Sequence, residues 1–121
     1  WGGRVAWVSA VNNPKYRACA IFYGGRIKLP MGENGRRPIE LPNQMPCPVL
    51  GLFGNEDEVP SPKDVDDYAA ALSAAGIEHQ FHRYDGAGHG FQDEYAKDRY
   101  NKEASEDAWG KALAFFNSKL K

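Results

Sequence analysis

Cysteine is scarce in this sequence: 121 residues contain two, Cys19 and Cys47. Two thiols so far apart suggest neither a disulfide scaffold nor a zinc site, and they suit a reducing compartment such as the cytoplasm. Charge of one sign is lacking too. Fifteen Lys and Arg against sixteen Asp and Glu leave a net charge of −1, which removes the electrostatic reason to expect nucleic acid or an anionic membrane as partner. No apolar run reaches membrane-spanning length, and no signal peptide is visible. Proline is missing from most of the chain; apart from Pro14, all of it lies between Pro30 and Pro62. The sequence opens on Trp1-Gly2-Gly3 rather than on Met, although a glycine pair that opens a helix ordinarily follows a strand in a tight turn.

What is present describes a folded chain. Apolar residues at 42% and charged residues at 26% fit one ordinary globular domain at most. Residues 3–12 are apolar nearly all round (Val5, Ala6, Trp7, Val8, Ala10, Val11) and predict a helix buried on every side, ended by Asn12-Asn13-Pro14. ACAIFYG over 18–24 and PVLGLFG over 48–54 predict two buried strands. The proline-rich stretch 25–47 between them predicts a long irregular excursion. Ser61-Pro62 predicts a helix N-cap and first position, with Asp64 in the first turn and Gly76 as the stop. Val65, Tyr68, Ala69, Leu72 and Ala75 form its apolar stripe. IEHQFHRYDG over 77–86 reads as a more polar strand suited to a sheet edge, and a last helix carries Ala108, Trp109, Ala112, Phe115, Phe116 and Leu120.

Helices alternating with apolar strands predict an α/β fold with a parallel sheet of about three strands flanked by helices. In such sheets chemistry collects beyond the carboxyl ends of the strands. GNEDEVPSP follows the second strand and GAGHGF the third. An acid in the first segment and a glycine-flanked His in the second make Asp57 and His89 a candidate acid–imidazole pair, in the chain order that a nucleophile–acid–His triad uses. Tyr23, at the end of its strand, is a candidate lining residue for a substrate cleft; otherwise it is a half-buried aromatic. Glu56 and Glu58 read as solvated, Ser61 as a cap, and Cys19 and Cys47 as a core thiol and a loop thiol. His79 and His82 stand three apart on a strand and so face opposite sides, which argues against a metal site.

The stretches WGGRVAW, AIFYGG, PVLGLFGNEDEVP, DVDDYAAALSAAGIEHQFHRYDGAGHGF and DAWGKALAFF resemble the C-terminal half of the dienelactone hydrolase family of α/β-hydrolases. The resemblance implies a carboxylic-ester or lactone hydrolase acting on a small molecule, with no cofactor. It implies Asp57 as triad acid, His89 as triad base and Trp1 as the remnant of the oxyanion hole, because Trp1-Gly2-Gly3 matches the end of the family's Gly-x-Cys-x-Gly-Gly elbow. The nucleophile would then be the residue immediately before Trp1. The family's usual basic residue a few positions after the His is replaced here by Gln92, Asp93 and Glu94, which counts against a small anionic carboxylate as substrate. A second reading, from a different class, is a catalytically silent half-domain that works as a binding or self-association module. On that reading Val5, Trp7, Val8 or Val11 lies uncovered, and a symmetric homodimer forms through residues 3–24.

Overall fold

A computed structural model describes all of residues 1–121. Its elements in chain order are α1 (Gly2–Val11), β1 (Cys19–Phe22), β2 (Val49–Gly54), α2 (Pro62–Ala74), β3 (His79–Tyr84) and α3 (Lys102–Lys119), with two short 3-10 turns at Pro38–Glu40 and Pro42–Gln44. The three strands form one parallel sheet in the order β1-β2-β3. Gly54 stands opposite Tyr84 at the end of the β2–β3 ladder. The predicted sheet is therefore present, with β3 at an edge. β1 stops at Phe22 rather than at residue 24 because Tyr23 turns to φ 38°, a backbone region that no strand uses.

Every residue of β2 is buried, and alternation divides its side chains between two cores. Val49 and Phe53 point to one face, where Trp7, Ile21, Tyr68 and Leu72 fill the larger core. Leu50 and Leu52 point to the other, against Ala104, Ala108, Ala112 and Phe115 of α3. The 25–47 excursion is a cover for the larger core: Ile27, Leu41 and Met45 are buried in it, and the Trp7 indole Nε1 donates to the Pro38 carbonyl at 3.2 Å.

Ser61 caps α2 as its sequence predicts, accepting from the Asp64 amide while the Asp64 carboxylate accepts from the Ser61 amide. Gly76 follows the helix at φ 70°. Two expectations fail. Helix α1 is not buried on every side: Val5 is 56% exposed, while Trp7, Ala10 and Val11 pack inward and Arg4 is buried with them. Trp7 and Val11 are thus covered by the chain's own core, so the helical part of the surface expected at residues 3–24 is reduced to Val5 and the half-buried Val8. Helix α3, conversely, turns Trp109 and Leu120 outward. Its close contact with the sheet is made by small alanines. No helix is long and apolar enough to cross a membrane.

Candidate active site

The site lies where β2 and β3 release the chain. Parallel pairing brings both strand ends to the same edge, and the loops that follow stay tied: the Asn55 amide donates to the Tyr84 carbonyl at 2.9 Å and the Glu56 amide to the Ala87 carbonyl at 3.0 Å. Gly54 permits this approach. A Cβ there would sit 2.1 Å from the Ala87 carbonyl oxygen, far inside contact distance. The Asn55 amide side chain adds a bond to the Asp85 carboxylate at 2.7 Å.

These ties bring Asp57 against His89. Asp57 Oδ2 lies 2.8 Å from His89 Nδ1, and Asp57 Oδ1 accepts from the Val59 amide at 2.8 Å. The carboxylate is sealed off, its side chain 2% exposed, whereas the imidazole is 43% exposed. A buried carboxylate held by a backbone N–H and facing Nδ1 selects the tautomer with the proton on that nitrogen. Nε2 is then the nitrogen left to take a proton. The imidazole's flank is a ring: Tyr23 meets it edge-on at 5.1 Å between centroids and meets Phe91 at 5.4 Å. Burial raises the Tyr23 hydroxyl above its usual range, Asp93 raises it further, and Arg99 opposes both.

Asp57 and His89 face a cleft of about 450 Å³ that Trp1, Glu56, Glu58 and Val59 also line. Three guanidinium groups reach it, and the sequence reading did not single them out. Arg4 is buried without a carboxylate partner, donating instead to the carbonyls of Arg26 at 2.8 Å and of Leu29 and Pro30 at 3.1 Å. It thereby pins the start of the 25–47 excursion to α1. Arg26 and Arg4 lie over the Trp1 ring at 5.3 and 5.9 Å. Arg99 arrives from further along the last loop, held by Asp93 at 3.2 Å. A basic residue thus stands in the cleft although none follows His89 directly in sequence. The spacing gave no warning of it, because the 92–101 loop folds back on itself.

Other candidates stand elsewhere. Cys19 and Cys47 are free and buried, and burial, with Cys47 adding to it, pushes the Cys19 thiol up to about 12. His79 packs on Phe81 at 5.4 Å, whereas His82 lies on the opposite face near Lys111 and Asp107. Burial, then Lys111, lowers the His82 imidazole below its usual value.

A parallel sheet with helices on both faces, superposing on a solved relative at a TM-score of 0.90, is an α/β-hydrolase fold. The chain belongs to the dienelactone hydrolase family, whose model matches residues 1–120. It is 30% identical over 116 residues to an Escherichia coli K12 protein provisionally named a carboxymethylenebutenolidase, covering 96% of this chain and 42% of that one. A Synechocystis protein with the same provisional name is 33% identical over 122 residues, covering 100% and 48%. Among solved structures, a protein from Klebsiella pneumoniae subsp. pneumoniae, provisionally named a dienelactone hydrolase, superposes with a TM-score of 0.90 at 31% identity, covering 97% of this chain and 48% of that one. The chain spans less than half the length of these relatives.

Proposed function

We propose that the chain, as a single partial domain over residues 1–121, supplies the acid and base of a carboxylic-ester or lactone hydrolase acting on a small molecule. The supporting observation is the Asp57–His89 pair at 2.8 Å, carboxylate sealed and imidazole open to the cleft. No Ser or Cys lines that cleft, so the nucleophile in this reading belongs to polypeptide that precedes Trp1. His89 Nε2 takes the proton of that hydroxyl or thiol as it attacks the ester carbonyl, and Asp57 stabilises the resulting imidazolium. His89 then returns the proton to the leaving alkoxide, and later activates the water that releases the acyl group. The backbone N–H of Trp1, as an amide of a longer polypeptide at the positive end of α1, donates to the oxyanion. Tyr23, expected as a lining residue, stands behind the imidazole instead, edge-on to it at 5.1 Å and outside the cleft lining.

The test is a fusion in which the N-terminal portion of the Klebsiella pneumoniae relative is joined directly before Trp1, assayed with p-nitrophenyl acetate. His89→Ala is expected to lower kcat/KM by at least ~10³-fold and Asp57→Asn by ~10²–10⁴-fold, as for other members of a triad. The unfused chain should hydrolyse the ester no faster than its denatured control. Turnover in the fusion that survives His89→Ala overturns the reading. The alternative, a silent module that self-associates, draws its support from the free edge of β1.

A further inference from the structure

We infer that Tyr23 is a positioning residue: held in a strained turn, its ring braces the flank of His89 and fixes the direction in which Nε2 points. The role of the aimed imidazole rests on the proposed hydrolase reading, and the brace rests on geometry.

One hydrogen bond holds the imidazole, between Nδ1 and Asp57 Oδ2 at 2.8 Å. A bond at one ring nitrogen sets the tautomer but lets the ring swing about the bond's axis. The neighbours of His89 in sequence give no support against that swing. A Cβ at Gly88 would meet nothing closer than the Glu56 carbonyl oxygen at 3.9 Å, and one at Gly90 nothing closer than the Arg99 guanidinium at 4.0 Å. The cleft side is open, since 43% of the side chain is exposed. Tyr23 stands against the ring from behind, at 5.1 Å between centroids and 61° between planes, an arrangement that two aromatic rings favour. Phe91, fully buried, meets the same tyrosine at 5.4 Å and 74°. His89 and Phe91, joined by Gly90 at φ 74°, thus grip one ring, and the buried phenylalanine keeps the loop against it.

A brace works only if it is itself fixed. Tyr23 has φ 38° and Arg26 has φ 56°, the left-handed region that a Cβ makes unfavourable. Strain of this kind persists where the surroundings over-determine it, and it clusters at functional sites. Here the surroundings are tight. The Tyr23 amide donates to the Leu52 carbonyl at 2.8 Å. A Cβ on Gly24 would lie 2.6 Å from Ile21 Cγ2 and 3.0 Å from the Gly3 carbonyl carbon, and one on Gly25 would lie 2.5 Å from the Val59 carbonyl oxygen. The turn is therefore wedged between the start of α1 and the loop that carries Asp57, whose second oxygen the Val59 amide holds. Acid, base and brace share one packed unit.

The test reads the imidazole directly. Carbon-13 relaxation of the His89 ring in the unfused chain should give an order parameter near ~0.85, the rigid range, despite the ring's exposure. Tyr23→Leu, which removes the ring and keeps an apolar side chain, should lower it below ~0.6, and Tyr23→Phe should restore the rigid value. In the fusion assayed with p-nitrophenyl acetate, Tyr23→Leu should lower kcat by ~10–100-fold with KM changed by no more than ~2-fold, and Tyr23→Phe should bring kcat back to within ~3-fold of the parent. Four results overturn the brace: a mobile imidazole in the parent, a rigid one in Tyr23→Leu, a phenylalanine variant that fails like the leucine one, or a raised KM at constant kcat, the mark of a substrate contact. The parent measurement needs no substitution, so it decides even if Tyr23→Leu does not fold. A fusion without turnover whose imidazole is rigid only with a ring at 23 removes the hydrolase reading and keeps the brace. A mobile imidazole in an active fusion does the reverse.

Discussion

On the α1/α2 side of the sheet, a tryptophan, a tyrosine and aliphatic residues fill a core that the 25–47 excursion closes from outside. On the α3 side, one helix covers β2 through three alanines and a phenylalanine and leaves a tryptophan in solvent. The two sides differ in what they bury. In the first, large side chains meet from α1, α2, both outer strands and the excursion. The second is a shallow contact whose small residues bring α3 close without enclosing anything. A chain that spans less than half the length of its relatives thus buries large side chains on one face of its sheet and mainly small ones on the other.

The contrast is broken most strongly by comparing two tryptophans. Trp7→Ala should cost about 3–5 kcal/mol, since it empties a fully buried site and removes the bond to Pro38, whereas Trp109→Ala on the open side should change stability by no more than ~0.5 kcal/mol. Urea denaturation of the two variants decides this, and comparable losses would show that α3 is covered in solution. Arg4→Ala probes the closure itself. Three carbonyls that the guanidinium satisfies lose their donor, for an expected loss of about 1–3 kcal/mol, with faster hydrogen exchange along 26–30 and little change in the amides of α3. A stable variant with an unchanged excursion would mean that the cover is held by its apolar residues alone.

The smallest effect sharpens the comparison from inside the larger core. The Tyr68 hydroxyl is buried with no hydrogen-bond partner, and its ring lies 4.3 Å from that of Trp7. Tyr68→Phe should therefore leave stability within ~1 kcal/mol of the parent, on the stabilising side. A clear loss would reveal a partner for that hydroxyl, such as an internal water.

Much of this was readable along the chain. Periodicity and turn residues placed the three strands, α1 and α2 to within a residue or two, and the last helix without bounds, because each element carries its own signals: Ser61-Pro62 for the start of α2, Gly76 for its end, a continuous apolar run for β2. The Asp57–His89 pair was also legible, since each residue follows a strand and adjacent parallel strands end together. The burial of Arg4 was not. It depends on carbonyls of residues 26, 29 and 30, and nothing in an apolar helical run announces that a guanidinium will be satisfied by a distant loop. The exposure of Trp109 was hidden for a related reason: α3 carries two apolar stripes, and periodicity alone does not say which one meets the sheet. Arg99 reaches the cleft only through the path of its loop.

The glycine at the end of β2 has a consequence for timing. Because Gly54 lets the two loops lie against each other, and because Val59 fixes one oxygen of Asp57 while His89 engages the other, the orientation of the imidazole is settled when this chain folds. On the proposed reading, a nucleophile meets an imidazole already aimed, so its arrival has one side chain to align instead of three. Preorganisation of this kind moves the loss of conformational freedom out of the encounter and into folding.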